Sequence, residues 1–239
     1  MMTEKSFVLG YGAFWRSLLP MAEEYIRARN VSVDRYAFPL SSEAASNRGL
    51  INELGFLMFA HVANGSSEEE LWIDESTVER LCDQARRHVQ GMRQYGRKAP
   101  EALGGADIEE AMRLARRLKK FFAEATDCVL NVSPAFSGCG WLDGCRGDVL
   151  SGGTLYEVKA GERGFRTADI RQLLVYCALN FESKSHDLRA VGLVNPRLGT
   201  FMREELETLC RNLAGRSSVE VLSDVVEYLS EPLVRYSAG

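Results

Sequence analysis

Residues 147–179 read GDVLSGGTLYEVKAGERGFRTADIRQLLVYCAL, and the fold turns on how the period changes within them. Two apolar runs flank Gly152-Gly153, a signal for a two-residue hairpin turn, because such turns need positive φ. A two-residue loop fixes the register. Ser151 faces Thr154, Leu150 faces Leu155, Val149 faces Tyr156, and Asp148 falls directly across from Glu157. The period then lengthens. Over 167–181 the apolar residues recur at helical spacing, with Thr167 as the expected N-cap and Asp169 in the first turn.

Working outward, residues 188–195 (LRAVGLVN) predict a short apolar strand ended by Pro196, followed by helices over 201–214 and 218–229. Upstream, strands are expected over 128–134 (CVLNVSP), about 145–150 and 154–160. Before them stands the most periodic helix of the chain, Asp107 to Ala125, with Ile108, Ala111, Met112, Ala115, Leu118, Phe122 and Ala125 as its apolar positions. Its other side carries Arg113, Arg116, Arg117 and Lys120, ordinarily a solvated stripe but also a candidate nucleic-acid contact. Further helices are expected around 14–29, 41–63 and 76–94. The linker around Pro100 to Ala106 separates a mainly helical region, 1–105, from a core, 106–239, into which that region can be integrated. The expected class is α/β: a mixed sheet flanked by helices, with a helical N-terminal extension.

The bulk numbers narrow the function. A 239-residue chain that is 46% hydrophobic and 26% charged has an ordinary globular core. Its longest apolar run, Leu54 to Ala60, is too short to span a bilayer, and the N-terminus has no uninterrupted apolar segment of a signal peptide, so a cytoplasmic protein without membrane attachment is expected. Six cysteines without a CxxC pair argue against a zinc knuckle or ribbon. A net charge of −4 argues against an avid, free-standing DNA binder.

The hairpin concentrates chemistry. Directly opposed Cβ atoms lie roughly 4.5–5.5 Å apart, and Glu157 and Lys159 share a strand face. Two carboxylates in that relation repel one another, and a divalent cation with water and substrate phosphate resolves the conflict. Lys159 can then orient or deprotonate a water, or stabilise developing charge. The plainer alternative is a solvent-facing polar side of a hairpin. Glu182-Ser183-Lys184 is a second acid-x-Lys triplet, but in a polar stretch without strand pattern. On the following helix, Gln172 and Tyr176 stand i and i+4, on a face largely separate from Ile170, Leu173, Leu174 and Cys177.

Taken together, Asp148, Glu157-Val158-Lys159 and Gln172-x-x-x-Tyr176 resemble the PD-(D/E)XK nuclease superfamily, in its RecB-like and lambda-exonuclease-like branch with a Q-x-x-x-Y motif. Gly147 stands where the eponymous proline would be. The resemblance covers about 128–195. It implies a restriction-endonuclease-like core and Mg²⁺ or Mn²⁺ held by Asp148, Glu157 and the Val158 carbonyl. It also implies hydrolysis of phosphodiester bonds, most naturally in DNA, by a metal-activated water. Many members add an upstream glutamate. Glu53, an acid in an apolar helix, is the candidate here, with Glu124 and Glu43 as competitors. The charge balance adds the expectation of a protein partner, such as an ATPase or helicase, in a restriction, anti-phage or DNA-repair assembly. The alternative function is a non-catalytic nucleic-acid- or partner-binding module on the same fold.

Overall fold

Gly152 and Gly153 adopt φ of 55° and 76°, the twist that a two-residue hairpin demands. The computed structural model describes residues 2–40, 47–65, 74–92 and 102–231. In chain order these form α1 (Glu4–Gly10), α2 (Gly12–Leu18), α3 (Ala22–Val31), β1 (Asp34–Arg35), α4 (Arg48–Ala63), α5 (Glu75–Met92) and α6 (Gly105–Ala125). There follow β2 (Asn131–Val132), β3 (Ala135–Phe136), β4 (Cys145–Arg146), β5 (Val149–Ser151), β6 (Thr154–Val158), α7 (Thr167–Ser183), β7 (Ala190–Asn195), β8 (Thr200–Glu205), α8 (Leu206–Ala214) and α9 (Ser218–Ser230).

The molecule is α/β, with a mixed six-stranded sheet ordered β1-β8-β7-β6-β5-β2. The β5–β6 register is the one the turn dictates, Ser151 to Thr154 through Val149 to Tyr156. Strand β7 lies parallel to β6, joined through α7, and the other pairs are antiparallel. All six residues of β7 are buried, as expected of a central strand covered on both faces. Alternation sends Leu155, Val191, Leu193 and Met202 into one core with α1–α3 and α7–α9. It sends Val149, Tyr156 and Val194 into a second core with α4–α6. Residues on both sides of position 105 build each core: Phe7 and Trp15 in the first, Leu50 and Met58 in the second.

Several boundaries differ from expectation. The helix expected from 201 begins at Leu206, and Thr200–Glu205 is strand β8, paired with β7 and, on its other edge, with β1. The cause is a turn built by Asn195, whose Oδ1 accepts from the N–H groups of Arg197 and Leu198, both at 3.0 Å. The chain folds back there, and Phe201 and Met202 drop onto opposite cores. The strand expected over 128–134 is only β2, which ends at Val132 because Ser133 takes a left-handed φ of 59°. The strand expected over 145–150 is split: β4 pairs with β3 in a separate ribbon, and β5 starts at Val149. The helix around 14–29 is divided between α2 and α3 at Leu19–Met21, where Pro20 interrupts it. The cap of α7 is Arg166 rather than Thr167; the Arg166 N–H donates to Asp169 Oδ2 at 2.8 Å. Among the described residues no helix is long and apolar enough to cross a membrane.

Candidate active site

Asp148 occupies the bend before β5, and Glu157 and Lys159 flank the end of β6. The ladder stops at Val149–Tyr156, but the cross-strand relation continues through a side chain. Asp148 Oδ2 accepts from the Val158 N–H at 2.6 Å, while the Asp148 carbonyl accepts from Ser133 N–H at 2.8 Å. Within a strand the N–H and C=O of one residue point to the same edge. The Val158 carbonyl therefore lies on the Asp148 side, whereas Lys159 N–H donates the other way, to Val194 O at 2.8 Å.

Gly147 serves this bend in a way a proline could not. Its N–H donates to Pro134 O at 3.0 Å, and a Cβ there would stand 3.0 Å from Leu155 Cδ1 and 3.2 Å from the Phe136 ring.

Lys159 Nζ donates to Glu157 Oε1 at 2.7 Å and to Gln172 Oε1 at 2.8 Å. With the oxygen of its amide so engaged, Gln172 turns Nε2 to the Tyr176 hydroxyl, 2.7 Å away. Tyr176 in turn stacks on Phe136, with ring centroids 5.4 Å apart. The four side chains expected to act with Asp148 thus form one continuous chain, Glu157 to Lys159 to Gln172 to Tyr176. Behind them Asp169 holds Arg163 bidentately at 2.8 and 3.0 Å, and its Oδ1 lies 3.9 Å from Lys159 Nζ.

The charges are poised. Burial, then the neighbouring Glu157, raises the Asp148 carboxyl well above the ordinary range, with Lys159 acting against the shift. Burial also raises Glu157, again opposed by Lys159. For Lys159 burial alone would lower the pKa, but Glu157 and Asp148 together raise it. Glu157 is 5% exposed, and its Oε2 is buried without a hydrogen-bond partner. A carboxylate oxygen left in that state is costly unless a cation or donor meets it.

Glu53 joins the same place from the opposite layer. Gly49, Asn52, Glu53 and Phe56, at i, i+3, i+4 and i+7 on α4, line a cavity of about 320 Å³ together with Val89, Asp148, Val158 and Ala160. Glu53 Oε1 is 2.7 Å from His88 Nδ1 on α5. The competitors are placed differently: Glu124 pairs with Lys120 on the surface of α6 at 3.8 Å, and Glu43 lies outside the described residues. Among the described residues no three His, Cys, Asp or Glu side chains cluster as a metal-holding group. Asp148, the Val158 carbonyl and the unpartnered Glu157 oxygen instead match the sparse protein donor set typical of Mg²⁺, which keeps several waters.

The stripe on α6 is only partly available. Arg117 is half-buried and donates to the carbonyls of Pro196 and Arg197 at 3.1 and 3.4 Å, while Arg113, Arg116 and Lys120 are exposed. All six thiols are free, and Glu182 to Lys184 is an exposed helix end. Sequence reasoning missed Asn52, His88, Arg163 and Arg197. Asn52 was within reach, since it shares a helical face with Glu53. The other three depend on packing between distant elements. No protein-family model matches the chain, and no curated protein or solved structure shows significant similarity to it.

Proposed function

We propose that this chain is a divalent-metal-dependent nuclease that hydrolyses phosphodiester bonds, with DNA as its substrate, on a restriction-endonuclease-like core. The observation that carries the reading is Glu157: a buried carboxylate with one oxygen on Lys159, the other unpartnered, beside the raised carboxyl of Asp148. The order α6, β2, β5–β6, α7, β7, with β7 parallel to β6, supports the fold assignment. So does the position of the site beyond the carboxyl ends of those two parallel strands, where open α/β sheets bind ligands.

Asp148, Glu157 and the Val158 carbonyl would hold Mg²⁺ or Mn²⁺, with Glu53 facing the same cavity. When bound, the ion would neutralise phosphate charge and acidify a water. Lys159, fixed between Glu157 and Gln172, carries its charge and protons beside Glu157, and Tyr176 fixes Gln172 from behind.

Calorimetric titration with Mn²⁺, on the wild type and Asp148→Ala, tests the reading. Uptake by the wild type that is lost in the variant is expected, together with Mg²⁺-dependent cutting in a panel of linear, circular and single-stranded DNA. Absence of uptake by the wild type refutes it and leaves the binding-module alternative.

The net charge of −4, and the use of Arg117 within the chain, favour delivery to DNA by a protein partner such as an ATPase or helicase. Vigorous cleavage by the isolated chain would overturn that second proposal.

A further inference from the structure

The cavity shared by Glu53 and Asp148 has one polar lining residue that the proposed metal chemistry does not use. That residue is Asn52, one position before Glu53. Its amide is oriented by Arg197, which is 0% exposed and drives its guanidinium between two layers of the fold. Arg197 Nε donates to Ala160 O at 2.9 Å, Nη1 to Glu110 Oε1, and Nη2 to Asn52 Oδ1 at 2.7 Å. A guanidinium has donors and no acceptor, so the amide oxygen must be the atom that faces it. The Nδ2 end of Asn52 therefore points elsewhere, and it has no partner among the described residues.

The other polar side chains that line the cavity, Glu53 and Asp148, are carboxylates. They receive a cation, and they repel the phosphate that a nuclease must bring beside it. About 320 Å³ is roughly ten times the volume of one liquid water, room for a hydrated ion and a phosphate group together. A fixed, neutral N–H donor is what such a cavity needs to accept an anionic oxygen.

We infer that Asn52 is a substrate-contacting residue, its amide N–H donating to a phosphate oxygen of the nucleic acid, and that the buried Arg197–Glu110 pair is the positioning device that aims it. The inference rests on the nuclease reading above.

The rival explanation is that Asn52 only satisfies Arg197. Asn52→Asp separates the two, because aspartate still offers an oxygen to Arg197, now as an ion pair, but replaces the donor with an acceptor. The affinity of a short fluorescent DNA, single- and double-stranded, is measured with Ca²⁺ in place of Mg²⁺, beside the melting temperature and Mn²⁺ uptake. A substrate contact weakens DNA binding about tenfold or more in Asn52→Asp while melting temperature and Mn²⁺ uptake are kept. The ratio to wild type persists at raised ionic strength, where simple charge repulsion is screened. Asn52→Leu, which adds no charge, shows the same loss of affinity with a lower melting temperature. Wild-type affinity in either variant, or a deficit in Asn52→Asp that vanishes with salt, overturns the inference and leaves the nuclease reading intact. Wild-type protein that binds no DNA with any divalent cation overturns the inference, and if it also takes up no Mn²⁺ the nuclease reading falls with it.

Discussion

Replacing Asp148 with asparagine is expected to make the metal-free protein more stable and to abolish its response to Mg²⁺. The asparagine retains an oxygen for the Val158 N–H, so the end of the hairpin stays closed. At a pH above the raised values of the two acids, what it removes is a charge facing Glu157. At about 5 Å between directly opposed positions, two like charges repel by about 3 kcal/mol at an effective dielectric constant near 20. Lys159, paired with Glu157 at 2.7 Å, offsets part of that, which leaves about 1–2 kcal/mol. For a chain of this size each kcal/mol shifts the melting temperature by about 2–4 °C. The wild type gains about 2.7 kcal/mol when Mg²⁺ stands at roughly 100 times its dissociation constant, and the variant gains little. The order of stabilities therefore inverts between EDTA and saturating Mg²⁺. Calorimetric melting of both proteins under the two conditions reads this directly. A variant less stable than wild type in EDTA, or one that gains as much from Mg²⁺, refutes the account of two repelling acids awaiting a cation.

Raised carboxyl pKa values at Asp148 and Glu157 mean that the metal-free folded chain holds more protons than the unfolded one above the ordinary carboxylate range. Stability in EDTA should thus fall as pH rises through that range toward the raised values, and Mg²⁺ should stabilise more at higher pH; a pH-independent Mg²⁺ effect in thermal melts contradicts this. Lys159→Met leaves the buried Glu157 without its cation, so metal-free stability drops by up to about 3 kcal/mol and cleavage is lost, whereas undiminished cutting would remove Lys159 from the chemistry. Arg197→Met removes the buried guanidinium that bonds the Ala160 carbonyl, Glu110 and Asn52 together, and lowers stability by about 3–5 kcal/mol in urea denaturation. Gly147→Pro orphans the Pro134 carbonyl and crowds Leu155, lowering it by about 1–3 kcal/mol; an unchanged midpoint would show that the bend tolerates a ring.

Local chemistry was legible in the sequence and distant packing was not. The Gly152-Gly153 turn sets its own register, so the Asp148–Glu157 relation could be worked out from spacing alone, and helical spacing placed Gln172 beside Tyr176. Strand β8 escaped because the turn that creates it depends on a single side chain, Asn195, catching two backbone N–H groups. The residues TFMREE then continue smoothly into LETLC, with nothing in composition to mark where strand gives way to helix. Glu53 could be nominated as an acid in an apolar helix, but its place depends on α4 packing over α6 against the sheet. The basic stripe was visible as a pattern, yet the pattern could not say that Arg117 would spend itself on two carbonyls of a remote turn.

The bond from Arg197 to Asn52 joins residues 145 positions apart. A chain leaving the ribosome has its α4 acid early, its hairpin acids about a hundred residues later, and the arginine that aligns the two layers later still. Because domains fold in the order of synthesis, and long-range closure waits for its last participant, a nascent or truncated chain ending before β7 contains every proposed ligand without the frame that aligns them. Competence would then arrive in a single late event.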